Sequence, residues 1–366
     1  MEVLRDLRPL GLLTLVAALA LPAEAQRRGR AEPAPAPTVA PQWPVKTREH
    51  VDLWLHGFAL IQEDTAVVPL FDRGYRDRIA VIKNSRSIVT DLDTSSARLG
   101  AIVASRPTLL NAQFLALYFG TWEELVQAFE YFFRAEREPN RSTSQEVQSV
   151  VAFIRHHFPQ PTDREFARLF VAGLKSEREK FHHDWWLAEQ RARIGATATA
   201  DSLWQRQWRP ALQRYLNHTQ QASGDLILTL TLGGEGRAVP AGKNDNQYAV
   251  AWPTTADSAE VLLFSFAHEV AGAVAQVAVD DNLTPVQKRS GLGAQYSSAG
   301  LVRGGALLVE RVEPGMGERY ARWYLAQMGR TAPAGGALAA LAEAFPIPDE
   351  MIESMRRQID ISFTGI

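Results

Sequence analysis

The chain has 366 residues, of which 46% are hydrophobic and 22% charged, and its formal net charge is −2. That length holds one large domain or two, with a sizeable buried core. The near-neutral balance excludes a basic nucleic-acid-binding face and a strongly membrane-attracted one, and 33 Arg against 6 Lys reads as genome bias rather than as a set of phosphate clamps.

Residues 1–25 have the physics of a secretory signal peptide. Arg5 and Arg8 precede an apolar run over 10–21, and Ala23-Glu24-Ala25 supplies a cleavage site. The run is too short to cross a bilayer, so no membrane span is expected once it is removed. The chain contains no cysteine. An exported protein without disulfides or a lipid-anchoring cysteine suits a bacterial periplasm or exterior, and the sequons at Asn140, Asn217 and Asn282 are then chance. Residues 26–45, rich in Pro and Ala, read as an extended tether.

From 46 to 222 the pattern predicts a helical domain. Thr47, Thr121, Thr143 or Ser144, and Thr162 are candidate helix starts, with Glu124 completing a capping box after Thr121. Pro210 should kink the helix that carries it. His56, the pair His156-His157 and the pair His182-His183 fall in this half. Neighbours on a helix point about 100° apart, so neither pair chelates a metal as a unit, and packing or capping roles are expected.

The second domain, 223–366, begins with strands. Leu226, Leu228, Leu230 and Leu232 alternate with Ile227, Thr229 and Thr231, which predicts a sheet with one drier face. The GGEGR run over 233–237 reads as a tight turn or bulge. A second strand covers 247–252 and is halted by Pro253. The stretch VLLFSFAHEVAGAVAQVAVDD over 261–281 is apolar nearly all round, so it predicts a buried helix with His268 and Glu269 in its middle. A carboxylate in so dry a setting needs a counter-charge, either a metal or an arginine such as Arg237 or Arg303. Thr284-Pro285 predicts a helix start, and Gly304-Gly305 permits close approach of the helix that carries Glu310. The fold class is therefore mainly α (α+β): a large helical part, a small sheet, the His268 helix and C-terminal helices.

His268-Glu269 begins an H-E-x-x-H pattern, in which two histidines one helical turn apart hold zinc and the Glu is the general base. With its strand–strand–helix order and the downstream Glu310, the chain resembles the zincin metallopeptidases whose third ligand is a distal Glu. The resemblance implies zinc on His268 and Glu310, Glu269 as the catalytic base, and an extended peptide or protein substrate held at a sheet edge. Gly272 stands where the second histidine belongs, so Asp280, Asp281 or His56 is the expected third donor and Glu313 the rival to Glu310. The alternative is a degenerate zincin scaffold without chemistry, serving as an envelope binding or assembly module.

Overall fold

The computed structural model describes residues 43–62, 70–138 and 144–364. The expected signal peptide, and the tether as far as residue 42, lie outside the described residues. Trp43 is fully buried and packs edge-on against Tyr248 and Phe266, so residues 43–45 belong to the folded body rather than to a tether.

Strand β1 (Val45–Thr47) leads directly into α1 (Glu49–Ile61). Thr47 closes the strand instead of capping the helix, and Arg48 takes the cap position without a side-chain bond. Then come α2 (Tyr75–Ser85), α3 (Asp91–Ser105) and a long 3-10 segment, Pro107–Tyr118. They are followed by α4 (Trp122–Arg137), α5 (Gln145–His157) and α6 (Pro161–Glu177). Thr121 accepts the Glu124 N–H as the sequence predicts, and of the two candidates Thr143 and Ser144 it is Ser144 that accepts from Val147, while Glu124 binds the Gly120 N–H instead of completing a capping box. Gln160, not Thr162, caps α6, with Pro161 in its first turn.

A π turn, Arg178–His182, joins α6 to α7 (His183–Ala192). After α8 (Ile194–Leu203), a second π turn, Trp204–Trp208, leads to α9 (Arg209–His218), with Pro210 in its first turn. The proline removes one backbone donor, and the wider turn just before it absorbs the mismatch.

Strands β2 (Gly224–Thr229), β3 (Arg237–Val239) and β4 (Asn246–Ala251) complete one sheet in the order β1-β2-β4-β3. β2 pairs in parallel with both β1 and β4, and β3 runs antiparallel on the edge. Being central, β2 is buried on both faces rather than one: Leu226, Ile227 and Leu228 are all inaccessible. The alternating run stops at Thr229, and Leu232 bridges Phe71 instead. The remaining helices are α10 (Glu260–Val270), α11 (Gly272–Asn282), α12 (Pro285–Arg289), α13 (Leu292–Val312), α14 (Met316–Gln327), α15 (Ala337–Ala344) and α16 (Asp349–Thr364). Thr284 caps α12 in a capping box with Gln287.

The fold is thus mainly α: 72% of the described residues are helical, beside a small four-stranded sheet. Residues 42–366 form one compact unit, so the stretches 46–222 and 223–366 share a core. β1 belongs to the first stretch and pairs with the second, which is why no boundary falls at residue 222.

Candidate functional site

α10 is apolar because it is wrapped on most sides: Leu262, Leu263, Phe264, Phe266 and Ala267 are all inaccessible. α13 crosses it closely at Gly305, where a Cβ would lie 3.2 Å from the His268 Cα and 2.8 Å from the Tyr320 hydroxyl. His268 is buried as predicted. Its Nδ1 lies 3.3 Å from the Tyr320 hydroxyl, and its ring stacks on Tyr324 with centroids 5.7 Å apart. Its Nε2 faces Glu235 Oε1 at 3.7 Å, and the Tyr324 hydroxyl donates to the same oxygen at 3.1 Å. Burial, reinforced by the Glu235 charge, raises both tyrosines well above the ordinary range, so they act as neutral donors.

Glu235 comes from the GGEGR turn, which folds over the start of β3 onto α10. Arg237 Nη1 sits 3.6 Å from Glu235 Oε2. The turn presses on Glu269 so tightly that a Cβ at Gly236 would fall 2.6 Å from the Glu269 Cγ and 2.9 Å from the Ala249 carbonyl oxygen. Part of Glu269 reaches solvent, but burial of its carboxyl raises its pKa, opposed by His268 and Arg237. Arg237 is thus the counter-charge near Glu269, whereas Arg303 donates to the Phe345 carbonyl.

The other zinc positions of the sequence reading go elsewhere. Glu310 accepts the backbone N–H groups of Gly315 and Gly317, each at 3.0 Å, and so caps the start of α14. A single turn residue, Ala271, separates α10 from α11, so Gly272 opens α11, and a Cβ there would meet Leu301 of α13 at 3.0 Å. Asp280 pairs with Gln276, Asp281 is exposed, and Glu313 binds Gln207 and Arg319. Among the described residues, no three His, Cys, Asp or Glu side chains are grouped to hold a metal ion. The β3 edge is covered by the 3-10 segment: Gln113 accepts from Arg237, whose guanidinium lies 5.4 Å over Phe114.

His56 belongs to a second buried cluster in the helical half. Its Nδ1 meets the Tyr75 hydroxyl at 2.7 Å and its Nε2 meets Glu177 at 3.0 Å. Lys83 donates to both Glu177 oxygens, at 3.0 and 2.8 Å, and Thr90 donates to Glu177 as well. Burial alone would push Glu177 up, but the bond and charge of His56, with Lys83, hold it down to about 2. Nothing in the residue pattern marks this pairing, because α1, α2 and α6 meet only in the folded core. Glu235, Tyr320 and Tyr324 also escaped the sequence reading; the lone acid in a glycine-rich turn was their only signal.

No family model, no curated protein and no solved structure matches the chain.

Proposed function

We propose that this chain is a zincin-like scaffold without chemistry, exported to the bacterial envelope, where it serves as a binding or assembly module. One observation carries the reading: each motif position is committed to the fold itself. His268 is hydrogen-bonded and stacked by two tyrosines, Gly272 packs toward Leu301, and Glu310 caps α14. A catalytic zinc needs three protein donors and an open position. The test is zinc titration of the purified chain by calorimetry, beside a peptidase assay on a mixed peptide library. The expected result is no tight stoichiometric zinc and no cleavage. One zinc per chain, lost in His268→Ala, would overturn the reading.

A single distance favours a second reading. His268 Nε2 and Glu235 Oε1 are 3.7 Å apart, close to the separation of two ligands on one zinc with bonds of about 2.0–2.1 Å. A metallopeptidase of that kind would use His268 and Glu235 as ligands and Glu269 as base, so zinc binding abolished by Glu235→Ala and retained in Glu310→Ala would select it.

A further inference from the structure

We infer that the cleft between the second π turn and the starts of α10 and α14 is a docking site for an arginine of an extended peptide. Asp257 and Glu260 hold its guanidinium, and the Trp208 indole N–H donates to its peptide carbonyl. This names the partner class of the binding module proposed above and rests on that reading for its role. The cleft itself shares no residue with the His268 site.

The cleft has a volume of about 240 Å³. Asp257 and Glu260 enter it from the start of α10, and Glu313 and Arg319 from the junction of α13 with α14. Arg319 Nε donates to Glu260 Oε2 at 2.9 Å, and its Nη2 donates to Glu313 Oε1 at 2.9 Å. The other Glu313 oxygen accepts from Gln207 of the π turn at 3.2 Å. Among the described residues Asp257 has no side-chain partner, and it is exposed. Three carboxylates thus share one guanidinium, and the cleft is short of a cation.

The tryptophan is independent of that charge. Trp208 lines the cleft, is 2% exposed, and its indole N–H has no acceptor. A buried donor left unpaired is costly, so a ligand that brings a carbonyl gains by meeting it. A bare metal cation or a simple amine brings charge without an acceptor, whereas an arginine within a peptide brings both. Leu203, Trp208 and Met316 supply an apolar wall for its methylene stem. Its planar head reaches two carboxylates at once, as Arg319 already does across Glu260 and Glu313. A lysine ammonium is a single point and lacks that fork.

Titration of alanyl-arginyl-alanine, blocked at both ends, into the full chain with isotope-labelled tryptophan tests the site by magnetic resonance. The chain has nine tryptophans, and the Trp208 indole signal is the one missing in Trp208→Phe. The expected result is a saturable downfield shift of that signal as the N–H gains its acceptor. Asp257→Asn breaks no side-chain contact of the fold and should weaken binding about twofold to fivefold. Raising the ionic strength from about 0.01 M to about 1 M should weaken it further, because the screening length falls from about 30 Å to about 3 Å. The matching lysine peptide should bind more weakly, and the glutamate peptide should leave the signal in place. No shift of any indole signal up to about 10 mM peptide overturns the site, as does a shift confined to other tryptophans. Binding unchanged in Asp257→Asn, or an equal response to the lysine or glutamate peptide, overturns it too. The Asp257→Asn arm decides the matter even where Trp208→Phe does not fold. Tight zinc beside an intact arginine response would fail the scaffold reading alone, and no zinc with no arginine response would fail the site alone.

Discussion

Asp52 on α1 and Leu230 beyond β2 are 178 residues apart in sequence, yet the carboxylate accepts the Leu230 backbone N–H at 2.9 Å. The other Asp52 oxygen accepts the Trp186 indole N–H, so one inaccessible side chain ties α1, α7 and the sheet together. Burial raises its pKa to about 7, against the pull of both hydrogen bonds.

Replacing Asp52 by Ala strands two N–H groups in the core. At about 1–3 kcal/mol for each unsatisfied group, Asp52→Ala should cost about 2–6 kcal/mol in denaturant unfolding near pH 6. The wild-type carboxyl binds its proton more tightly folded than unfolded. Its contribution therefore falls as pH rises from the ordinary 3.8 through about 7. The penalty of the variant should shrink above pH 7, and a penalty that grew instead would reverse the assignment of burial as the dominant influence.

The Lys83–Glu177 pair is buried at both ends and shared with His56. Breaking it from one side leaves a charge without compensation, so Lys83→Met should cost about 3–5 kcal/mol. The double variant Lys83→Met with Glu177→Leu should recover part of that loss, since no buried carboxylate remains. Glu177 is held down to about 2, so its stabilisation is complete above about 4.5 and disappears as pH falls through about 2. Thermal melts of the three chains at neutral pH decide the matter: a double variant less stable than Lys83→Met alone would mean that the charges are needed for packing, not merely paired.

What could be read in the sequence was local. Thr121, Ser144 and Thr284 act on N–H groups three residues away, so their roles follow from spacing alone. The burial of α10 followed from its composition. β1 has three residues and finds its partner at 226–228, beyond the reach of any periodicity. The π turns leave no mark on the hydrophobic pattern. Glu310 lies on a helix as its surroundings predicted. Its direction is set by Gly315, whose left-handed φ of +84° turns backbone N–H groups toward the carboxylate, and that geometry is invisible without the fold. Glu235 reaches His268 only because β3 doubles back along β4.

Glu269 should behave as a carboxyl that the fold prefers uncharged. Its folded pKa is raised by burial, so ionisation costs stability as pH rises above the ordinary 4.5. Glu269→Gln should therefore match or exceed the wild type in unfolding free energy at about pH 8 and lose that relative gain near pH 4. Arg237→Met should destabilise at pH 8 more than at pH 4, because the guanidinium is the cation opposing the shift. Denaturant titrations at the two pH values read both effects, and a Glu269→Gln variant weaker at pH 8 than at pH 4 would show that the carboxylate is favourably held.

Gly272→His rebuilds the H-E-x-x-H pattern and so separates the scaffold from the enzyme most directly. Replacing a glycine inside helical structure gains roughly 0.3 kcal/mol on propensity alone. Against that, the first added carbon already meets Leu301 Cδ2 at 3.0 Å, and the imidazole must extend beyond it toward α13. Overpacking of that kind costs about 1–3 kcal/mol, so the variant should be the less stable chain. The new ring enters the seam between α11 and α13, while Glu310 remains bonded to Gly315 and Gly317. Zinc affinity measured by calorimetry should equal that of the wild type, and adding Glu310→Ala should change stability without changing zinc binding. A folded Gly272→His chain that gains tight zinc, and loses it again with Glu310→Ala, would restore the peptidase geometry and remove the case for a scaffold.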